Sequence, residues 1–139
     1  MKPILFSFLL FCSFFSYSQE DCFLGIGGED DDTIAEVFQL DESQLEQLRN
    51  WSAEVKVRNG YLKDQAKYLL KRHAQSSPED LMGMSYKYRG LLDSMRQNVR
   101  LLDKRLLSLF NDQQYNLYLE FCGQLTLRPI YIDRSVNEK

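Results

Sequence analysis

Apolar residues recur at alternating steps of three and four along two long parts of the chain. The first part runs Leu45, Leu48, Ser52, Val55, Asn59, Leu62, Ala66, Leu69, His73, with Ser52, Asn59 and a mid-run Gly60 as interruptions. The second runs Leu81, Ser85, Tyr88, Leu92, Met95, Val99, Leu102, Leu106, Leu109. This is heptad spacing, and it predicts two long amphipathic helices. Asp41 is placed to cap the first, and Gln44, at the third helical position, completes a capping box. That helix is expected to reach about Ala74. The intervening "QSSPED" breaks the pattern and restarts it, with Ser77 as cap, Pro78 at the first helical position and Asp80 in an acidic first turn. Two helices of roughly 30 residues joined by so short a turn must fold back antiparallel, each about 45–50 Å long.

The flanks are shorter and less regular. Residues 19–32, "QEDCFLGIGGEDDD", carry three glycines and clustered acids, and read as an irregular arm. A short helix is expected from about Thr33 to Phe38, capped by Asp32. Beyond the hairpin, Asn111 and Gln114 form a second capping box and start a helix bearing Tyr115, Tyr118, Leu119, Cys122 and Leu125. Gly123 and Pro129 end it, and the last residues are expected to extend along the hairpin and fray. The reading is an all-α fold: a long antiparallel helical hairpin, a shorter C-terminal helix and an N-terminal arm. Its parts are an acidic arm with a short helix (19–40), a helical domain (41–125) and an extended tail (126–139). Two helices alone leave each seam half open, so either the arm and last helix cover it or a second copy does; a homodimer is expected.

Composition changes this picture in three ways. First, of 139 residues, the opening "MKPILFSFLLFCSFFSYS" has a charged start, an apolar run too short to span a bilayer, and small residues before Gln19. It reads as a cleaved signal peptide, residues 1–18, which implies a periplasmic or secreted protein with no membrane insertion after cleavage. Phe11 before Cys12 does not suit a lipid-attachment box. Second, the remaining cysteines, Cys22 and Cys122, are expected to pair in an oxidising compartment. Third, charge is segregated: Glu20 to Glu46 holds ten acids and no base, whereas Arg49 to Arg105 holds thirteen bases and six acids. An acidic arm therefore precedes a basic body. The body is not basic enough for specific nucleic-acid readout.

Candidate chemistry is sparse. The single histidine, His73, has no neighbouring nucleophile or paired carboxylate, and no phosphate loop or dinucleotide fingerprint occurs. The chain reads as a non-enzyme without a cofactor. His73, Met82 and Met84 gather near the hairpin turn and are the weak candidates for a soft metal, though tip packing explains them better. A second stripe flanks the seams: Trp51, Arg58, Tyr61, Gln65 and Tyr68 on the first helix; Met84, Lys87, Leu91, Leu101 and Arg105 on the second. Aromatic and aliphatic groups interleaved with bases suit an adaptable binding surface. Trp51, Arg58, Tyr61, Tyr68, Met84 and Leu91 are its candidate contact residues, and core packing is the competing role, most of all for Trp51.

Both helix entries also share a spacing. Leu40 precedes Gln44 by four residues, and Leu109 precedes Gln113 by four. Paired Leu-x-x-x-Gln starts at the two ends of a helical hairpin, behind a signal peptide, resemble the Spy/CpxP-like periplasmic family and its paired Leu-Thr-x-x-Gln motifs. Asp41 and Phe110 stand where the family has threonine. The resemblance covers roughly Phe38 to Phe121. It implies an exported all-α protein with ATP-independent chaperone activity on partly unfolded proteins, or envelope-stress sensing. Metal-responsive behaviour or regulation of one dedicated sensor partner are the alternatives. Gln44 and Gln113 are then expected to be polar ties at the open end of the hairpin.

Overall fold

The computed structural model describes residues 19–134. The expected signal segment lies outside these residues, as does the end of the tail. The described chain is all-helical: α1 spans Asp31–Val37, α2 Glu42–Arg72, α3 Pro78–Leu109 and α4 Asp112–Gln124. Helices α2 and α3, of 31 and 32 residues, pack antiparallel along their length.

Local chemistry accounts for most of the boundaries. Asp41 accepts the Gln44 backbone N–H at 2.8 Å, and the Gln44 side chain accepts the Asp41 N–H at 3.0 Å, closing the expected capping box. Ser77 caps α3 ahead of Pro78. Lys71 and Arg72 complement the negative end of α2, which stops at Arg72 with His73 as its C-cap, slightly short of the expected Ala74.

One helix start differs from the sequence reading. Helix α1 begins at Asp31, not Thr33, and its N-cap is Asp30, which makes no side-chain cap bond. Asp31 is drawn elsewhere: its carboxylate accepts the Gly27 N–H at 3.0 Å and the Ser52 hydroxyl of α2. Ser52, a polar flaw in the apolar pattern, is thus a buried tie between elements. Asn59 behaves alike, donating to the Met95 carbonyl at 3.3 Å and accepting from Asn98 at 3.0 Å across the hairpin.

The core sits at one end of the hairpin, here called its base. There Leu48 and Val55 of α2, Leu102, Leu106 and Leu107 of α3, and Tyr115, Tyr118 and Cys122 of α4 are buried together with Ile26 of the arm, Phe38 at the end of α1, and Ile130 of the tail. The seam of α3 is correspondingly uneven. Leu102, Asp103, Leu106 and Leu107 are buried, whereas Leu81, Ser85, Leu92 and Leu109 are exposed. For Leu81, Ser85 and Leu92 the physical reason is layering; Leu109 ends α3 at the base, where Phe110 is the buried residue instead. At the base a third layer widens the buried face, while the distal half is two helices thick and buries only Ala66 of its seam. The tail also departs from expectation. It runs beside the arm rather than along the hairpin, with Cys22 N donating to Arg128 O at 2.7 Å and Arg128 N to Glu20 O at 2.9 Å. Cys22 and Cys122 stand at disulfide distance, joining arm to α4.

Candidate functional site

At the base, the two helix entries meet. Gln44 donates its Nε2 hydrogens to the Leu109 carbonyl at 2.7 Å and to Gln114 Oε1 at 2.8 Å. Gln114 returns the bond, donating to Gln44 Oε1 and to the Phe38 carbonyl, each at 2.9 Å. Each Oε1 also accepts its own cap residue's N–H, from Asp41 and Asn111. Both amides are buried, and a buried amide is stable only when its donors and acceptors are matched, as here.

This corrects the expected polar tie. Gln113 is exposed, and Leu109 is 42 % exposed. The residue matching Gln44 in role is Gln114, and the residue matching Leu40 is Phe110. The repeat is therefore one residue later: Leu40-Asp41-Glu42-Ser43-Gln44 corresponds to Phe110-Asn111-Asp112-Gln113-Gln114. Capping dictates this, because only Asn111 can hold the Gln114 N–H, at 2.8 Å, in the way Asp41 holds that of Gln44.

A second polar centre lies outside the sequence expectations. Asp103 of α3 is fully buried; its Oδ2 accepts the N–H groups of Leu24 at 2.7 Å and Gly25 at 3.1 Å, and its Oδ1 that of Ile26 at 3.0 Å. Burial pushes its carboxyl up to about 6, against the lowering pull of these amides and with a smaller upward push from Asp31. Tyr118, pushed up to about 12 by burial, donates to the Cys22 carbonyl at 2.8 Å and accepts the Ile130 N–H at the same distance. The arm and tail are thus held through their backbones. A sequence signal for Asp103 does exist: "LLDKRLL" puts 102, 103, 106 and 107 on one widened face, with an acid as its only polar member.

The aromatic-basic stripe divides in two. Near the base, Trp51 packs half-buried against the core. Arg58 and Arg105 both pair with Glu54, at 2.7 and 3.0 Å, so one carboxylate holds both guanidinium groups and offsets half of their charge. Further out, Tyr61 and Tyr68 are 69 % and 66 % exposed. Tyr68, Leu69 and Leu91 line an open groove of about 460 Å³ between α2 and α3, edged by Gln65, Lys87 and Ser94. The structure therefore brings Tyr68 and Leu91 together and leaves Trp51 elsewhere. At the turn, Met82 is exposed and Met84 half-buried, while His73 Nδ1 lies 3.1 Å from Ser76 Oγ. Among the described residues, no group of three or more His, Cys, Asp or Glu is placed to hold a metal ion, and no helix is long and apolar enough to cross a membrane.

Compared with known proteins, the chain matches no family model, no curated protein and no solved structure.

Proposed function

We propose that this is an exported, ATP-independent chaperone-like protein that holds partly unfolded proteins on the distal hairpin face around Tyr61, Tyr68 and Leu91. The carrying observation is the pair of largely exposed tyrosines beside an apolar groove on the half of the hairpin that has no third layer. Aromatic rings offer contact area at low entropic cost and tolerate varied partners. The cysteine pair at bonding distance fits an oxidising compartment, and a periplasmic or secreted location belongs to the proposal. Of the Spy/CpxP-like motif pair, the Leu40–Gln44 start fits the same reading, whereas the second start opens on Phe110 and departs from it.

The test is suppression of aggregation of several unrelated proteins diluted from urea without reductant, so that the Cys22–Cys122 pair stays intact. The wild-type protein at equimolar ratio is expected to slow aggregation. Tyr61→Ala/Tyr68→Ala is expected to lose most of that effect while keeping its melting temperature. No suppression by the wild type, or equal suppression by the double variant, refutes the proposal. Sedimentation identifies the competing occupant: a dimer broken by the same double variant assigns this face to a second copy.

A further inference from the structure

The hairpin has a second surface, on the side that carries the arm. On α2, Lys56, Lys63 and Lys67 each follow a seam position by one residue; on α3, Arg89, Arg96 and Arg100 do the same. Tyr61, Gln65, Tyr68, Lys87 and Leu91 each precede one, so they occupy the other side. Contacts agree with this register. Lys56 and Lys63 line one cavity with Gly27 and Asp31, and Arg96 lines another with Asp21 and Phe23. All six bases are exposed. Of them only Arg100 has an ion pair within 4.0 Å among the described residues, at 3.6 Å to Asp21 of the arm. The row continues past the arm toward the turn, with Asp93 as the one exposed acid in register and Leu70, Tyr86 and Met82 exposed along it.

The arm shows what this face accepts. It is a non-helical acidic segment lying across the hairpin, with Ile26 buried, backbone N–H groups on Asp103, and Asp21 set between Arg100 and Arg128. It covers the base half of the face. Lys63 stands at the edge of the arm's seat, and Lys67 and Arg89 continue the same positive row beyond it. We propose that this distal basic row docks an acidic, extended segment of another polypeptide, laid end to end with the protein's own arm. Continuity with the arm's seat favours a polypeptide over a lipid surface or a nucleic acid, and charge complementarity makes it an acidic one. The site is separate from the Tyr61–Tyr68 face.

Fluorescence anisotropy of a labelled glutamate-leucine-glycine peptide of about five residues tests this; at about 3.3 Å per residue it covers the roughly 15 Å of hairpin from Lys63 to the turn. Saturable binding is expected, weakening steeply with salt and absent for the lysine counterpart of the peptide. Lys63→Glu/Lys67→Glu/Arg89→Glu is expected to weaken it at least tenfold, Lys67→Gln/Arg89→Gln to weaken it measurably, and Tyr61→Ala/Tyr68→Ala to leave it unchanged. Circular dichroism checks that each variant is folded. Absence of binding at low salt overturns the proposal. So does equal binding of phosphatidylglycerol vesicles or duplex DNA, which marks a general polyanion surface. Self-association of the protein alone that the charge reversals abolish assigns the row to a second copy and overturns it as well. A loss confined to the tyrosine variant moves binding to the other face.

Discussion

At the scale of single residues, Gln44 and Gln114 do the most specific work. Replacing Gln114 by Ala leaves the Phe38 carbonyl and the Asn111 N–H without their partner, and is expected to cost about 2–3 kcal/mol. Gln113→Ala, one residue away on the exposed side, is expected to cost under about 0.5 kcal/mol. Urea denaturation of the two variants separates them, and Gln44→Ala/Gln114→Ala is expected to cost less than the sum of its single changes. Asp103 makes a prediction of opposite character. Its folded carboxyl stands at about 6, above its ordinary 3.8, so the ionised form works against the fold. The penalty, on the order of 3 kcal/mol, is present at neutral pH and is relieved as pH falls through about 6 toward 3.8. Between pH 7.5 and pH 5 the wild type is therefore expected to gain stability relative to Asp103→Asn, whose amide does not titrate. The caps are legible in the sequence because they are local, two residue types at fixed spacing. The pairing of Gln44 with Gln114 and the cradle around Asp103 are not, since their partners are 70 and 77–79 residues away.

At the scale of elements, the stretch of the arm before α1 is non-helical yet among the most firmly held parts of the described chain. Gly27 shows why it tolerates no side chain: its φ is +84°, and an added Cβ would lie 1.9 Å from a Val55 methyl. Gly27→Ala is expected to cost about 2–4 kcal/mol, from left-handed strain and overpacking together. Hydrogen exchange at residues 24–26 should quicken in the same variant. By contrast Gly60, Gly83 and Gly90 lie inside α2 and α3, where an added methyl would meet nothing within 4 Å, so each change to Ala is expected to stabilise by about 0.5–1 kcal/mol. Thermal melts decide the sign. Cys22→Ser/Cys122→Ser reopens a separation of 100 residues, and on chain-entropy grounds is expected to cost about 4–5 kcal/mol. The arm reads from sequence as irregular and acidic, which it is. The cysteine pairing that helps to hold it is legible, but its seat on Asp103 is made by three backbone amides, and amides carry no sequence signal.

At the scale of the whole molecule, stability and exposure are divided along the length. Most of what fastens the described residues lies at the base: the glutamine pair, Asp103, the cysteines, and the tail beside the arm. Beyond about Asn59 and Met95, two helices face each other with no third layer. Heptad spacing makes the hairpin legible, yet it extends one continuous seam through Leu81, Ser85 and Leu92, where the structure leaves those residues exposed. Periodicity reports which side of a helix is apolar; it does not report whether anything covers that side. Native-state exchange is therefore expected to grade along α2 and α3, with opening free energies near the global value at Leu48 and Leu106 and lowest near Leu69 and Leu81. A hairpin clamped at one end is a cantilever. With a free length of about 20 Å beyond Asn59, a flexing of about 5° there carries the turn about 2 Å sideways. The two distal surfaces, being on opposite sides of that lever, would move together, so occupancy of either one that bends or stiffens the hairpin is felt at the other without any contact between them.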